Sequence, residues 1–159
     1  MNLDFYRLLE TAFLSGIAAL GFGALFNVSW KHLSVCFFVA GLAGIAKVIA
    51  LEAGMVLAPA SFVGALVAGI LATIISRKKG CPHVIFSIPA VIPMVPGVLG
   101  FKTILGVLEI LQQGAASSPE IVARTVSLGL NTGFIAIALA VGISFPSLTR
   151  LIRSDDYSH

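Results

Sequence analysis

The sequence predicts an all-α, polytopic integral membrane protein with about five transmembrane helices, the fourth of them broken or kinked by proline and glycine. Three observations predict it. Charged residues are only 11% of the 159, against 58% hydrophobic, and mean hydropathy is +1.04; a soluble domain carries roughly 25% charged residues to cover its core. The apolar residues gather into five stretches of about 20 residues or more, the length that crosses roughly 30 Å of hydrocarbon at about 1.5 Å per residue. Strand-like alternation is absent, and the stretches are too long for barrel strands.

The segments run over about 11–28, 32–51, 55–76, 84–108 and 121–148, and form one transmembrane domain over 1–159. Before the first stands MNLDFYRLLE, where Asp4 and Glu10 oppose Arg7 and no small-residue cleavage site follows. A retained span is expected rather than a signal peptide. The second segment carries Lys47 late in its length. The third has Ser61, Ala65 and Gly69 at four-residue spacing, the small-residue rhythm of closely packed membrane helices. Ahead of the fifth, Ser117 with Glu120 reads as a capping box and Pro119 falls in the first turn. Within it, Gly129 and Gly133 form a second small-residue pair.

The fourth segment holds IPAVIPMVPGVLGFK, from Ile88 to Lys102. In a continuous helix Pro89, Pro93 and Pro96 would each remove a hydrogen bond, orphaning the carbonyls of Ile85, Pro89 and Ile92. Each unsatisfied group in hydrocarbon costs several kcal/mol, so such backbone must face protein or a water-filled cavity. Pro89, Pro93, Pro96 with Gly97, and Gly100 recur at four, three and four residues, which places them on one face of a continuous helix, with Val91, Val95 and Val98 mainly elsewhere. Two accounts fit: a discontinuous helix lining a transport pathway, or a proline kink packed against a neighbour.

Polar residues inside the segments extend the candidate pathway. Lys47 and Lys102 both fall toward the outer leaflet, where two cations at similar depth attract a carboxylate. Alternatively each snorkels to its helix end, or pairs with Glu52 or Glu109. Arg124, Ser127 and Asn131 form a stripe descending to the middle of the fifth segment, and Asn131 serves either substrate or an interhelical hydrogen bond.

Charge placement sets an expected orientation. Lys31, Arg77 to Lys79, and Arg150 with Arg153 share one side, which the positive-inside rule makes cytoplasmic. The N-terminus is then outside and the C-terminus inside. The net charge of +3 follows from this edge, and no aromatic-studded basic patch points to nucleic acid. Cys36 and Cys81, with His32 and His83, lack the paired spacing of a zinc site, so no metal or cofactor is expected. No embedded histidine or acid stands ready to activate Ser61, Ser87 or Ser127, which argues against a hydrolase. No aspartate or glutamate lies centrally in any segment and no internal repeat is evident, whereas many carriers place their site between two related halves. A partner chain is the simplest completion.

LGFGALFNV, from Leu20 to Val28, followed by PAVIPMVPG, from Pro89 to Gly97, resembles the threonine/serine exporter family, and in particular the small membrane subunit of its split members. The resemblance covers roughly Glu10 to Arg150. It implies a secondary exporter in a bacterial inner membrane, moving small carboxylate-bearing metabolites, either threonine and serine or a dicarboxylate such as succinate. It also implies a larger membrane partner, with a homo-oligomer left open. Asn27, Pro93, Pro96 and Gly97 carry over by motif, as does Lys47 where relatives often hold a basic residue. Ser29 stands where proline is common, and lysine at 47 is a point charge without the fork of arginine. The candidate pathway is thus Asn27, Lys47, Pro89, Pro93, Pro96, Gly97, Gly100, Lys102 and Asn131. The alternative is a non-transporting subunit that stabilises or gates a larger partner.

Overall fold

The structure, a computed structural model, describes residues 5–114 and 118–154, and every regular element among them is helical. In order these are α1 (Phe5–Leu25), α2 (Trp30–Glu52), α3 (Leu57–Lys79), α4 (Val84–Val91), a 3₁₀ turn (Ile92–Met94), α5 (Gly97–Gln113) and α6 (Pro119–Ser154). Four helices are long and apolar enough to cross a membrane, or five spans if α4 and α5, bent by 57° at their junction, count as one.

The first helix begins earlier than the apolar run alone predicts, because Phe5, Tyr6, Leu8 and Leu9 extend its greasy surface through the mixed-charge leader. Arg7 is held by Glu52 at the far end of α2, 2.6 Å away, which fastens the start of α1 to the end of α2. Glu52 is therefore paired with Arg7 and not with an intramembrane lysine.

The end of α1 explains Asn27. This residue sits at φ 56, and the amides of Asn27 and Val28 turn back onto the carbonyls of Ala24 and Gly23 at 3.0 and 2.9 Å. That is a Schellman end with asparagine in the left-handed position, which β-branched residues resist. Asn27→Val is expected to lower stability by about 1–2 kcal/mol while Asn27→Gly is nearly neutral, as thermal unfolding in detergent would record. Ser29 follows at φ −55 and ψ 140, an extended conformation that proline also adopts, so the departure from the family pattern leaves the turn intact.

The link from α2 to α3 uses the same device, with Gly54 at φ 88 and the Met55 and Gly54 amides bonded to the carbonyls of Ala50 and Leu51. α3 closes on Gly80 at φ 65, with Arg77, Lys78 and Lys79 in its last turn, where cations complement the helix dipole. At the start of α6 the Ile121 amide bonds Ser118 Oγ at 3.4 Å, so the cap is Ser118; Ser117 lies outside the described residues. α6 has 36 residues, about 54 Å at about 1.5 Å per residue.

Small side chains dominate the core and let helix backbones approach closely. Ala40 and Ala43 of α2, Ala65, Ala68 and Ala72 of α3, Phe86 and Ala90 of α4, Met94, and Ile135 and Leu139 of α6 form the buried cluster. α3 packs most extensively against α6, and α2 bridges α1 and α3. At the α3–α6 crossing, a Cβ added at Gly69 would lie 2.9 Å from the Ile143 carbonyl oxygen, and one at Gly142 would lie 2.7 Å from Ala65 Cβ. The predicted small stripe on α3 thus meets Gly142 rather than the Gly129/Gly133 pair. Gly129 instead faces Thr103 of α5, and Gly133 has open space beside it.

His32 and Phe86 stack edge to face with ring centroids 5.5 Å apart, and Cys81 Sγ lies 3.5 Å from His32 Nε2. The start of α2 therefore adjoins the α3–α4 connection. This sets Lys31 and Arg77 to Lys79 at one end of the bundle, opposite the Arg7–Glu52 pair. The side chains of Arg150 and Arg153 lie outside the described ones.

Candidate functional site

The break in the fourth segment is built residue by residue from its prolines. Pro89 has no amide to offer Ile85, and the buried Cys36 thiol approaches the Ile85 carbonyl instead, at 3.6 Å. Pro89 is fully buried, and α4 continues through it to Val91. Pro93 lies in the 3₁₀ turn, and the Ile92 carbonyl accepts the Val95 amide at 3.0 Å. The chain leaves helical geometry at Val95 (ψ 130) and Pro96 (ψ 62), then re-enters at Gly97.

Lys47 reaches this break. Its Nζ donates to the Met94 carbonyl at 3.4 Å, placing a half-buried ammonium against backbone at the unwound turn. Gly64 makes the approach possible: a Cβ there would stand 2.9 Å from the Ala43 carbonyl oxygen and 3.1 Å from both Lys47 Cβ and Met94 Sδ. α2, α3 and the broken span therefore meet at one point. One turn earlier on α3, Ser61 is fully buried and its hydroxyl has no hydrogen-bond partner among the described residues. An ammonium carries three donors, of which one goes to Met94, so the junction has polar capacity to offer a carboxylate or hydroxyl.

The structure separates residues that the sequence groups together. Pro89, Pro93, Pro96, Gly97 and Gly100 do not share one helical face, because that pattern assumes a continuous helix and the chain bends by 57°. Pro89 is buried, whereas Gly97 and Val98 are exposed. Asn27 caps the opposite end of the bundle: Lys47 lies 17 residues along α2 from Trp30, about 26 Å at about 1.5 Å per residue.

Lys102 belongs to a different setting from Lys47. It lies five residues into α5 and 11 before its end, about 8 and 16 Å at about 1.5 Å per residue. It lines a groove of about 220 Å³ between α5 and α6 together with Gly106, Glu109, Arg124 and the buried Thr125. Thr125 fills the space over Gly106, which draws the two helices together there. Two cations and one carboxylate therefore line one open groove. Glu109 also accepts from Gln113 Nε2 at 3.3 Å. Asn131, further along α6, is exposed on the outside of the helix pair.

Sequence reasoning missed Gly64, Met94, Thr125 and Gly142. A small-residue signal for Gly142 does exist, since Ala138 precedes it by four residues. Met94 contributes a backbone carbonyl, for which no side-chain signal exists. Among the described residues, no group of three or more histidine, cysteine, aspartate or glutamate side chains is placed to hold a metal ion.

A family model described as "Threonine/Serine exporter, ThrE" matches residues 11–149, which is most of the chain and includes every residue named at the break and in the groove. The chain belongs to the threonine/serine exporter family. A relative from Haemophilus influenzae, named only as an uncharacterized protein, is 30% identical over 142 residues. Those residues are 89% of this chain and 47% of the relative, so this exporter-family chain spans about half the length of the curated relative it matches. No solved structure matches it.

Proposed function

We propose that this chain is one half of a secondary exporter of small amino acids such as threonine and serine, working with a larger membrane partner. It would sit in a bacterial inner membrane with the N-terminus outside and the C-terminus cytoplasmic. The observation that carries the proposal is Lys47 against the Met94 carbonyl at the broken span. Transporters commonly build midplane sites from discontinuous helices whose freed backbone groups face substrate, and an ammonium there offers a counter-charge to a carboxylate. The route would run from this junction, along Pro93, Pro96, Gly97 and Gly100, to Lys102.

Glu109 favours an amino acid over a dicarboxylate. In the α5–α6 groove, Lys102 and Arg124 suit a carboxylate and Glu109 suits an ammonium; the second carboxylate of succinate would meet Glu109 as a like charge. Glu109→Gln is expected to lower threonine efflux roughly tenfold, the equivalent of about 1.4 kcal/mol, and to narrow the gap between threonine and succinate. An unchanged preference would remove Glu109 from substrate selection.

The direct test is efflux of labelled threonine, serine and succinate from preloaded cells expressing this chain alone, with its partner, or with neither. Threonine or serine efflux only when both chains are present is the expected result. Export by this chain alone would require a homo-oligomeric carrier instead. If pathway variants reduce assembly and flux together, the chain is a stabilising subunit rather than part of the route.

A further inference from the structure

We propose that the outward face of α5 and the first half of α6 seats the larger membrane partner, and that this partner offers a hydrogen-bonding group to Asn131 near the bilayer centre. The inference rests on the reading of the chain as one half of a carrier.

The exposed faces of α1 and of α6 differ in chemistry. On α1 the exposed large side chains in the body of the helix are Phe13, Leu14 and Ile17, which hydrocarbon satisfies completely. On α6 the exposed Leu130, Phe134 and Ile137 are interrupted by the exposed Asn131. Asn131 stands 12 residues into the apolar stretch Pro119–Pro146, about 18 Å along a length of about 42 Å. It is therefore close to the middle. Its amide carries two donors and an acceptor, and an unmet polar group in lipid costs several kcal/mol. Thr132, beside it, satisfies itself by bonding back to the Leu128 carbonyl at 2.8 Å. The Asn131 side chain makes no hydrogen bond among the described residues.

Hydrocarbon would leave that amide unmet, so this part of the face is covered by protein, or by a water-lined route that further protein encloses. α5 supports the same conclusion: none of its 17 residues is buried, and Lys102 is exposed on it. A second copy of this chain fits poorly, since a two-fold contact through this face would bring two sets of Lys102 and Arg124 together. More than half of the Haemophilus influenzae relative lies outside the match, which is ample chain for the covering helices.

The test places a photo-crosslinking amino acid at Leu130, at Phe134, or at Phe13 as the lipid-facing control, in membranes of the native host, and identifies the adducts by peptide mass. Leu130 and Phe134 are expected to capture a chain, or chain segment, homologous to the unmatched part of the Haemophilus influenzae relative, while Phe13 captures lipid. Asn131→Leu is expected to lower the Phe134 adduct yield roughly three- to thirtyfold, as follows from an interhelical hydrogen bond of about 0.6–2 kcal/mol. Adducts at Leu130 and Phe134 made only with lipid, or only with a second copy, would overturn the proposal. If the expected adducts form but no amino acid leaves the cell, the docking face stands and the transport reading falls. If efflux needs both halves yet these positions meet only lipid, the transport reading stands and this face is wrong.

Discussion

Replacing Lys47 with glutamine is expected to cut threonine efflux at least tenfold while the chain still inserts and assembles with its partner. Glutamine keeps a donor for the Met94 carbonyl, which Lys47 Nζ now reaches at 3.4 Å, but removes the charge that would meet a carboxylate. Hydrogen bonds to charged groups contribute about 1.5–3 kcal/mol, which corresponds to roughly ten- to hundredfold in rate or affinity. Lys47→Met tests the other half of the interaction. It removes donor and charge together, leaves a carbonyl unpaired at a cost of about 1–3 kcal/mol, and is expected to lower thermal stability in detergent as well as flux. Lys47→Arg keeps the charge but must fit a fork beside Gly64, where only 3.1 Å separates an added Cβ from Lys47 Cβ; it should retain more flux than glutamine. Wild-type efflux from the glutamine variant would reduce Lys47 to a tether for the broken span.

The parts of the molecule legible in the sequence are those fixed by composition and local backbone chemistry. Hydrophobic runs marked the long helices because a span must be about 20 residues long whatever its neighbours are, although α1 begins six residues earlier than the run and α5 and α6 end five and six residues later. The proline cluster located the break, because a missing amide hydrogen is a property of the residue itself. What followed from continuity did not survive. The common face for Pro89, Pro96 and Gly100 dissolves once Val95 and Pro96 leave helical geometry. Similarly, Lys47 and Lys102 look alike as lone lysines in apolar sequence, yet one meets a backbone carbonyl in the core and the other lines a groove beside Glu109 and Arg124. Such distinctions depend on what lies across the bundle, from Met94 to Lys47 or from Thr125 to Gly106, and contacts between distant residues leave no local pattern.

Gly142→Leu is expected to be the most damaging single substitution to the fold, stronger than the same change at Gly133 in the pair that the sequence marks for close packing. At Gly142 even a methyl group would lie 2.7 Å from Ala65 Cβ, 3.0 Å from the Phe62 carbonyl oxygen and 3.1 Å from the Leu66 amide nitrogen. Two of those three atoms are backbone and cannot rotate away. Across the same crossing, a Cβ added at Gly69 would lie 2.9 Å from the Ile143 carbonyl oxygen, so the two helices are in close backbone approach at both glycines. Overpacking a well-filled interior costs about 1–3 kcal/mol, and a leucine against two backbone atoms of α3 falls at or above the top of that range. α3 and α6 form the most extensive helix pair, and α3 also supplies Gly64 at the Lys47 junction. Their separation should therefore loosen the bundle and the candidate site together. Size-exclusion profiles and melting curves in mild detergent would register this as loss of the folded species for Gly142→Leu and near-normal behaviour for Gly21→Leu, where an added Cβ meets nothing within 4 Å. Equal tolerance at both positions would mean that the α3–α6 crossing does not hold the bundle together, and that the exposed α5–α6 pair depends on its partner even for the placement of α6 against α3.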